Sequence, residues 1–380
     1  MAGRQFHGGA IILVGALMAV PPSPAQSGQG LDRAAAILRG EVAEGKVGAA
    51  ALLVARHGKV LLHEGYGRLN PDPGAPRVQP DSVFLLASIT KPVTACSLML
   101  LVERGKVRLD DPVERYLPEF TGGERGKVRV RDLLSHISGL PDMLPENIDL
   151  RREHAPLSEF VRHTFTTPLL FSPRTQFKYQ SMGILLAAVI VERTTGMRLR
   201  DFEKREIFEP LGMKDSSLGL GGRRIEDLVR CGSAPGAIAA DQVSFGPNSA
   251  YWRDLGCPWG GMHSNTSDIA VLLQTFLDGG VHAGKRVFRA ETVAEMTKDQ
   301  NTGLNAPWGL GWALGRSISW NGFGGQASPR VFGHVGATGT VAWADPDSGL
   351  LCVILTNRPY DVDDGDLLRR VSSAVAASVH

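Results

Sequence analysis

One tetrad of the sequence could supply a nucleophile together with its base. Ser88-Ile89-Thr90-Lys91 is the one S-x-x-K in the chain, and a spacing of three residues puts both side chains on one face of a helix. Burial would lower the pKa of the lysine, so that its neutral amine could take the serine proton. The alternative interpretation makes Ser88 a helix N-cap and Lys91 a solvated side chain of the first turn. Because ordinary usage produces this spacing about once in a chain of this length, the tetrad depends on its context.

The neighbouring segments place the tetrad at the start of a helix. Residues 83–87 form a short apolar run, and Pro92-Val93-Thr94-Ala95 predicts the opening of a helix, because proline is tolerated in the first turn. We therefore expect Ser88 at a helix start, where backbone N–H groups would help to stabilise an oxyanion.

The two ends of the chain mirror each other in their hydrophobic patterns. Residues 31–44 predict a helix and 49–55 with 60–66 a hairpin, whereas 340–344 with 350–356 predict a second hairpin and 364–379 an amphipathic closing helix. Hairpins imply antiparallel pairing. The expected fold is therefore α+β, with an antiparallel sheet built from both termini and flanking helices.

The middle of the chain has a different pattern. Apolar residues at helical spacing, separated by loops rich in Gly and Pro, predict helices over 90–104, 157–164, 183–195, 199–207 and 267–277. We expect one domain over residues 26–380, in which an all-helical insert, about 88–299, interrupts a sheet part, about 31–87 and 300–380.

Composition excludes several classes of protein. The 380 residues are 43% hydrophobic and 21% charged, as in water-soluble globular proteins. Lysine and arginine number 41 against 39 acidic residues, a formal charge of +2, so we expect no nucleic-acid partner. No apolar run after the N-terminus approaches the roughly 20 residues that a membrane-spanning helix requires.

The N-terminus has the pattern of a secretory signal. Arg4 precedes an uncharged, mostly apolar segment over residues 8–20, and Ser23-Pro24-Ala25 ends in small residues. This predicts a signal peptide over 1–25, cleaved near Ala25, and hence a periplasmic or secreted protein. The alternative is a short membrane anchor that stays attached, which is disfavoured because the apolar segment is shorter than a bilayer requires.

Four cysteines are too few for a disulfide framework, although an oxidising compartment would permit one bridge. Cys231 and Cys257 flank one loop that contains Gly and Pro, and they are the predicted pair. Cys96 and Cys352 lie in apolar stretches, which predicts buried thiols with no chemical role.

Several familiar sites are absent from the sequence. It contains no G-x-S-x-G, H-E-x-x-H, paired C-x-x-C or G-x-x-x-x-G-K-[ST], which argues against an α/β-hydrolase, a zincin, a zinc ribbon and a P-loop enzyme. The ten histidines are scattered, so a metal site has no support from spacing. We expect neither a metal nor an organic cofactor.

The segment over residues 88–95 resembles the nucleophile motif of the serine β-lactamase and penicillin-binding protein superfamily, in its class C β-lactamase-related branch. That branch includes D-alanyl-D-alanine carboxypeptidases, D-amino-acid peptidases and family VIII carboxylesterases. The resemblance runs from about Gly45 to the C-terminus, and it implies a β-lactamase/transpeptidase-like fold. Further matching segments follow in order at residues 105–113, 133–140, 209–213, 260–262 and 308–312.

Tyr179-Gln180-Ser181 resembles the second motif of this superfamily, commonly Y-x-N. Taken alone, Tyr179 would be a packed amphipathic ring; the resemblance implies that it is the general acid/base. Ser181 stands where the asparagine would bridge the lysine and the substrate amide. A hydroxyl offers a shorter and less versatile contact than a carboxamide, which weakens the expectation of β-lactam or peptide-amide recognition.

Gly333-His334-Val335-Gly336-Ala337 resembles the third motif, on the strand that lines the site. His334 occupies the position where β-lactamases usually carry lysine and some carboxypeptidases and esterases carry histidine. We expect it to meet a substrate carboxylate as a cation on the acid side of neutrality. The resemblance also implies that Gly336 lets the substrate backbone lie against the strand and that the N–H groups of Ser88 and Ala337 form the oxyanion site. His136 matches a segment expected to be structural.

These observations favour an exported serine hydrolase that acts through an acyl-enzyme, with Ser88, Lys91 and Tyr179 as its catalytic residues. Ser181 and His334 favour a small ester or a D-amino-acid peptide as substrate, ahead of a penicillin. A different class of function is a non-catalytic scaffold or a cell-wall binding module with the same fold. Such a scaffold would need none of the three residues, which argues against it, and the sequence leaves the oligomeric state open.

Overall fold

The computed structural model describes residues 24–315, 317 and 322–379, so residues 1–23 of the predicted signal peptide lie outside the described part of the chain. The strands are β1 (Ala49–Arg56), β2 (Lys59–Gly67), β3 (Phe84–Leu85), β4 (Ser217–Leu218), β5 (Met262–Ser264), β6 (Val281–His282), β7 (Lys285–Arg286), β8 (Ala313–Leu314), β9 (Phe332–Gly336), β10 (Thr340–Asp345) and β11 (Leu350–Thr356). The α-helices are α1 (Pro24–Ala43), α2 (Thr90–Glu103), α3 (Val130–Leu134), α4 (Asn147–Arg152), α5 (Leu157–Thr166), α6 (Met182–Thr195), α7 (Leu199–Glu203), α8 (Glu209–Leu211), α9 (Ala239–Ser244), α10 (Ala250–Leu255), α11 (Thr266–Leu277), α12 (Ala290–Met296) and α13 (Asp366–Ala376).

A six-stranded antiparallel sheet joins the two ends of the chain, in the order β2-β1-β11-β10-β9-β8. Strand β1 pairs with β11 along its length, from Ala50 opposite Thr356 to Arg56 opposite Leu350. The predicted α+β fold, with one sheet built from both termini, is confirmed. Both predicted hairpins occur within one residue of their expected bounds.

Both faces of the central strand β1 are buried. Ala50, Leu52 and Val54 pack in the cluster that also holds side chains of the terminal helices α1 and α13. Ala51 and Leu53 point to the opposite face, into the cluster formed with α2 and α11. A strand covered on both faces has no polar side, which explains why residues 49–55 are continuously apolar.

The inserted region is mainly helical and also contains short strands. Its centre is α2, whose residues 90–101 are all buried, and α2 packs on α6. Strand β5 pairs with β4 and with β3, which precedes the insert, in a small antiparallel sheet. The expected all-helical insert does not include β4 and β5. Strands of two or three residues are too short to show an alternating pattern.

The four cysteines are free, buried thiols. The predicted Cys231–Cys257 disulfide is therefore wrong for this structure. The Sγ of Cys231 instead accepts a hydrogen bond from Arg253 Nη2 at 3.4 Å. No helix within the described ranges is long and apolar enough to cross a bilayer.

Glu203, at the end of α7, is a buried carboxyl that contacts the nucleophile helix. It is fully buried, and Thr94 Oγ1 of α2 donates a hydrogen bond to its Oε1 at 3.4 Å. Burial raises the pKa of Glu203 from 4.5 to about 8. The folded state therefore holds a proton that the unfolded state loses, so the free energy of unfolding falls as pH rises from about 4.5 through 8.

We expect Glu203→Gln to remove this pH dependence, because an amide resembles the protonated acid and does not titrate. At about 1.4 kcal/mol per unit of pKa shift, the substituted protein should be more stable than wild type by up to a few kcal/mol above pH 8. Denaturant unfolding between pH 5 and 9 measures the difference. Glu209→Gln, at an exposed position nearby, is the matched control, and an equal slope in wild type and Glu203→Gln would contradict the assignment.

Candidate active site

A short strand and a tight turn present Ser88. Strand β3 leads into a 3₁₀ turn, Ala87–Ile89, which continues as α2, and Ala87 has a φ of +48°. Thr90 Oγ1 donates to the carbonyl of Ala87 at 2.7 Å and accepts from the N–H of Met262 at 3.0 Å. The turn is thereby fixed to β5, and Ser88 at its centre is half-buried and accessible.

Lys91 lies one turn further along, in contact with Ser88. Its ammonium nitrogen donates to Ser88 Oγ and to the carbonyl of Trp259, both at 3.0 Å, and the side chain is 1% exposed. The residue that caps α2 is Ile89, and no side chain caps that end. The interpretation of Ser88 as an N-cap beside a solvated lysine is therefore wrong.

Burial changes the ionisation of Lys91. Loss of solvation lowers the pKa of Lys91 to about 8, although the charge of Asp142 acts in the opposite direction. A lysine with this pKa supplies neutral amine near neutral pH, in hydrogen-bond reach of a serine hydroxyl.

Tyr179 completes the group around Ser88. Lys91 Nζ lies 4.7 Å from the centroid of its ring. Burial raises the pKa of Tyr179 well above 10 and outweighs the opposing effect of the Ser88 hydroxyl. The phenol therefore holds its proton at neutral pH.

His136 positions the segment that carries Tyr179. Its ring lies 4.6 Å from the Tyr179 ring, centroid to centroid. Its Nδ1 accepts a hydrogen bond from the N–H of Gln180 at 3.2 Å, and its carbonyl accepts one from the N–H of Lys178 at 3.0 Å. The contacts on both sides of Tyr179 fix the backbone there, in keeping with the structural part expected of His136.

Ser181 is bound to a carboxylate that the sequence analysis missed. Its hydroxyl donates to Asp142 Oδ1 at 2.6 Å, and its N–H donates to the carbonyl of Asp142 at 3.2 Å. With its one proton directed to Asp142, the hydroxyl has none to donate to a substrate carbonyl. Asp142 is a single acidic residue in a loop, and no spacing in the sequence distinguishes it.

The structure corrects the ionisation expected of His334. The side chain is fully buried on β9, and burial together with the charge of Lys91 lowers its pKa to about 3. Nδ1 lies 2.6 Å from the carbonyl of Val335, which can only accept, so Nδ1 carries the hydrogen and Nε2 is an acceptor. An imidazole near its ordinary pKa, cationic in mild acid, is the wrong description of this residue.

We expect the preference between a carboxylate-bearing ester and its methylated analogue to be independent of pH between about 5.5 and 8.5, where an unperturbed imidazole would titrate. His334 stays neutral over that range because its pKa is about 3. Requirements common to both substrates cancel in the ratio of their kcat/KM values. A ratio that rises in acid in wild type and becomes flat in His334→Gln would contradict this expectation.

Gly336 permits close packing within the protein. A Cβ at this position would lie 2.2 Å from the carbonyl oxygen of Leu86 and 2.2 Å from Thr340 Oγ1. The absence of a side chain therefore lets β9 approach the turn that carries Ser88. The contact predicted between Gly336 and the substrate backbone stays a prediction. Ala337, the next residue, is exposed.

A cavity of about 500 Å³ opens at Ser88. Ser88, Ala337 and Gly260 line it together with Trp259, whose carbonyl binds Lys91. An acyl group bound in this cavity would have the Ser88 hydroxyl and the N–H groups beside it at one end.

We expect Asp142→Asn to move the acid limb of the kcat/KM profile to lower pH. The negative charge of Asp142 raises the pKa of Lys91, so its removal lowers the pH at which the amine becomes neutral. An asparagine oxygen can still accept from Ser181. Asp149→Asn removes an exposed carboxylate from the neighbouring helix α4 and is the control. A limb that stays in place, or shifts equally in the control, would refute the assignment.

The chain matches a known protein family over most of its length. The family model named Beta-lactamase matches residues 34–376. The chain belongs to the β-lactamase family. The resemblance noted above and the prediction of a hydrolase are thereby confirmed.

The chain is similar to proteins that are named for different activities. A Salmonella gallinarum protein named provisionally as a D-alanyl-D-alanine carboxypeptidase is 30% identical over 348 residues, or 81% of this chain and 78% of that protein. The structure of D-amino acid amidase from Ochrobactrum anthropi SV3 is 25% identical, with a TM-score of 0.69 over 90% of this chain and 98% of that one. A penicillin-binding protein homologue from Caulobacter crescentus has a TM-score of 0.76 at 24% identity, over 92% of this chain and 98% of that one, and supports the fold.

Proposed function

We propose that this β-lactamase-family chain is an exported serine hydrolase whose residues 26–380 act as one domain and form an acyl-enzyme on Ser88. One observation carries the proposal. The Ser88 hydroxyl faces a cavity and lies 3.0 Å from the nitrogen of a buried lysine. A scaffold would have no use for a lysine with a lowered pKa in contact with an accessible serine, which disfavours a non-catalytic module.

In the acylation step, neutral Lys91 takes the proton of Ser88 as the serine oxygen attacks the substrate carbonyl. The N–H groups of Ser88 and Ala337 stabilise the resulting oxyanion. Tyr179 keeps its proton because its pKa lies well above 10, so it serves as a donor toward the leaving group, and the Lys91 ammonium restores the phenol. Water then releases the acid and regenerates Ser88.

The substrates that we propose are small esters and D-amino-acid peptides or amides. The Salmonella relative and the Ochrobactrum amidase are both named for activity on D-amino-acid derivatives. Ser181, held by Asp142, offers no carboxamide to an amide substrate, and this favours esters because their more reactive carbonyl depends less on such a contact. Because the lack of a carboxamide at Ser181 also disfavours β-lactam amides, we rank penicillins below both esters and D-amino-acid substrates.

Export rests on the N-terminal pattern of Arg4, the apolar segment over residues 8–20 and the small residues before position 26. Expression with the full leader, followed by mass measurement of the mature protein outside the cytoplasm, tests this part of the proposal. A mature chain that begins near residue 26 supports export, and retention of the complete N-terminus in the cell contradicts it.

A substrate panel tests the activity. We expect measurable kcat/KM for a 4-nitrophenyl ester and for a D-amino-acid amide or D-alanyl peptide, and a lower value for a penicillin. A larger kcat/KM for the penicillin than for the ester would overturn the substrate assignment. No turnover of any of them by folded protein would overturn the hydrolase mechanism proposed here.

A further inference from the structure

One cation lies in the wall of the cavity at Ser88 and has no part in the mechanism above. Arg151, near the end of α4, lines the same cavity of about 500 Å³ as Ser88. Its guanidinium carbon lies 3.8 Å from the centroid of the Trp252 ring. Within the described chain, the one hydrogen bond of the guanidinium runs from Nη2 to the carbonyl of Phe245 at 3.1 Å.

In the part of the chain that the structure describes, no carboxylate forms an ion pair with Arg151. Within the described ranges, no Asp or Glu oxygen lies within 4.0 Å of its guanidinium, and no acceptor binds its buried Nε. Burial lowers the pKa of Arg151, as expected for a cation that has lost water without gaining a counter-charge. Asp241 and Asp361 also line the cavity, but neither carboxylate forms an ion pair with Arg151. The adjacent Arg152 differs in this respect, because it is exposed and binds Asp149 at 2.9 Å.

Apart from Asp241 and Asp361, most of the other residues that line the cavity are apolar. Met143, Ile148 and Ile238 line it although each is exposed to solvent, Ile238 by 64%. Trp252 and Trp259 contribute aromatic surface. Exposed apolar side chains gathered at a cavity mark a binding surface for an apolar ligand.

We propose that Arg151 is a specificity-determining residue that binds a carboxylate on an otherwise apolar part of the substrate. A planar guanidinium stacked on an aromatic ring is well suited to bind a carboxylate. His334, the residue expected to do this, is buried and neutral, whereas an arginine remains charged at every working pH. The inference rests on the proposed function, because the substrate must be one that acylates Ser88.

The test compares matched esters that differ in one charge. The probes are mono-4-nitrophenyl esters of straight-chain dicarboxylic acids from adipic to sebacic, each paired with the ester of its monoamide. We expect the acid-to-amide ratio of kcat/KM to exceed about 10 for wild type at the best chain length, the usual effect of a charge-assisted contact. In Arg151→Met, which keeps an apolar stem beside Trp252, we expect the ratio to fall to about 1.

Arg152→Gln removes one positive charge from the adjacent position and is the matched control, expected to keep the wild-type ratio. A ratio that survives in Arg151→Met, or that falls equally in Arg152→Gln, would overturn the inference and leave the hydrolase intact. The wild-type data decide even if Arg151→Met does not fold, because a ratio of 1 or less at every length also overturns it. If folded wild-type protein hydrolyses no ester of either series, this inference fails, and the proposed function fails with it only if none of the 4-nitrophenyl ester, the D-amino-acid substrates and the penicillin is turned over either.

Discussion

Ser88→Ala should abolish formation of the acyl-enzyme and lower kcat/KM for a 4-nitrophenyl ester by about 10⁴-fold or more, the scale typical of loss of a serine nucleophile. In the proposed mechanism this hydroxyl is the nucleophile, and Lys91 Nζ donates a hydrogen bond to it at 3.0 Å. Alanine leaves the Lys91 amine and the Tyr179 phenol in place but removes the hydroxyl that they would activate. Steady-state hydrolysis and labelling by a fluorophosphonate probe measure the loss.

The folded structure should tolerate this substitution. Ser88 caps no helix, so the change in the free energy of unfolding should be within about 1 kcal/mol, the scale of one hydrogen bond. Ser97→Ala is a matched control on the same helix, because its buried hydroxyl bonds to the carbonyl of Val93 and lies outside the site. Full labelling of Ser88→Ala, or equal losses of activity in the two proteins, would show that another residue is the nucleophile.

Lys91→Met should lower kcat/KM by about 10²- to 10⁴-fold, the range for loss of a general base. Methionine has a similar length and suits a buried position, but it cannot take the serine proton. The loss should be measured with an activated ester, because its leaving group needs no protonation. The change in kcat/KM then reports on the attack of Ser88 alone.

Lys91→Arg distinguishes the role of Lys91 as a proton acceptor from the effect of its positive charge. Arginine keeps a cation near Ser88 but stays protonated, so a general-base role predicts a loss of the same order as in Lys91→Met. Arginine is larger than the lysine that fills this buried position, so thermal unfolding of both proteins is measured together with the rates. A folded Lys91→Arg enzyme with near wild-type kcat/KM would contradict the assignment of Lys91 as base.

The sequence was sufficient where local spacing determines geometry. A spacing of three residues along a helix brings the side chains of Ser88 and Lys91 together, and the structure has Lys91 Nζ 3.0 Å from Ser88 Oγ. The antiparallel sheet likewise followed from two hairpins with apolar strands. The Tyr179 segment needed the family resemblance, because nothing in its own spacing shows that it meets Ser88 across the fold.

The features that the sequence did not reveal depend on packing between distant segments. Lys91 binds the carbonyl of Trp259, which is 168 residues away, and Ser181 binds Asp142 from a separate loop. The pKa of His334 depends on burial, which a residue's type and neighbours in sequence do not determine. Arg151 and Gly336 are further examples, since the cavity and the close approach that involve them are tertiary features.

Covalent acylation of Ser88 is the step on which the proposed function depends. It is tested by mixing wild-type protein with a 4-nitrophenyl ester and quenching the mixture in acid within the first turnover, before the intact mass and then the masses of proteolytic peptides are measured. We expect one added acyl group, located on Ser88 and absent from Ser88→Ala. Rapid hydrolysis without any mass change in the quenched protein, or an acyl group on a different residue, would contradict it.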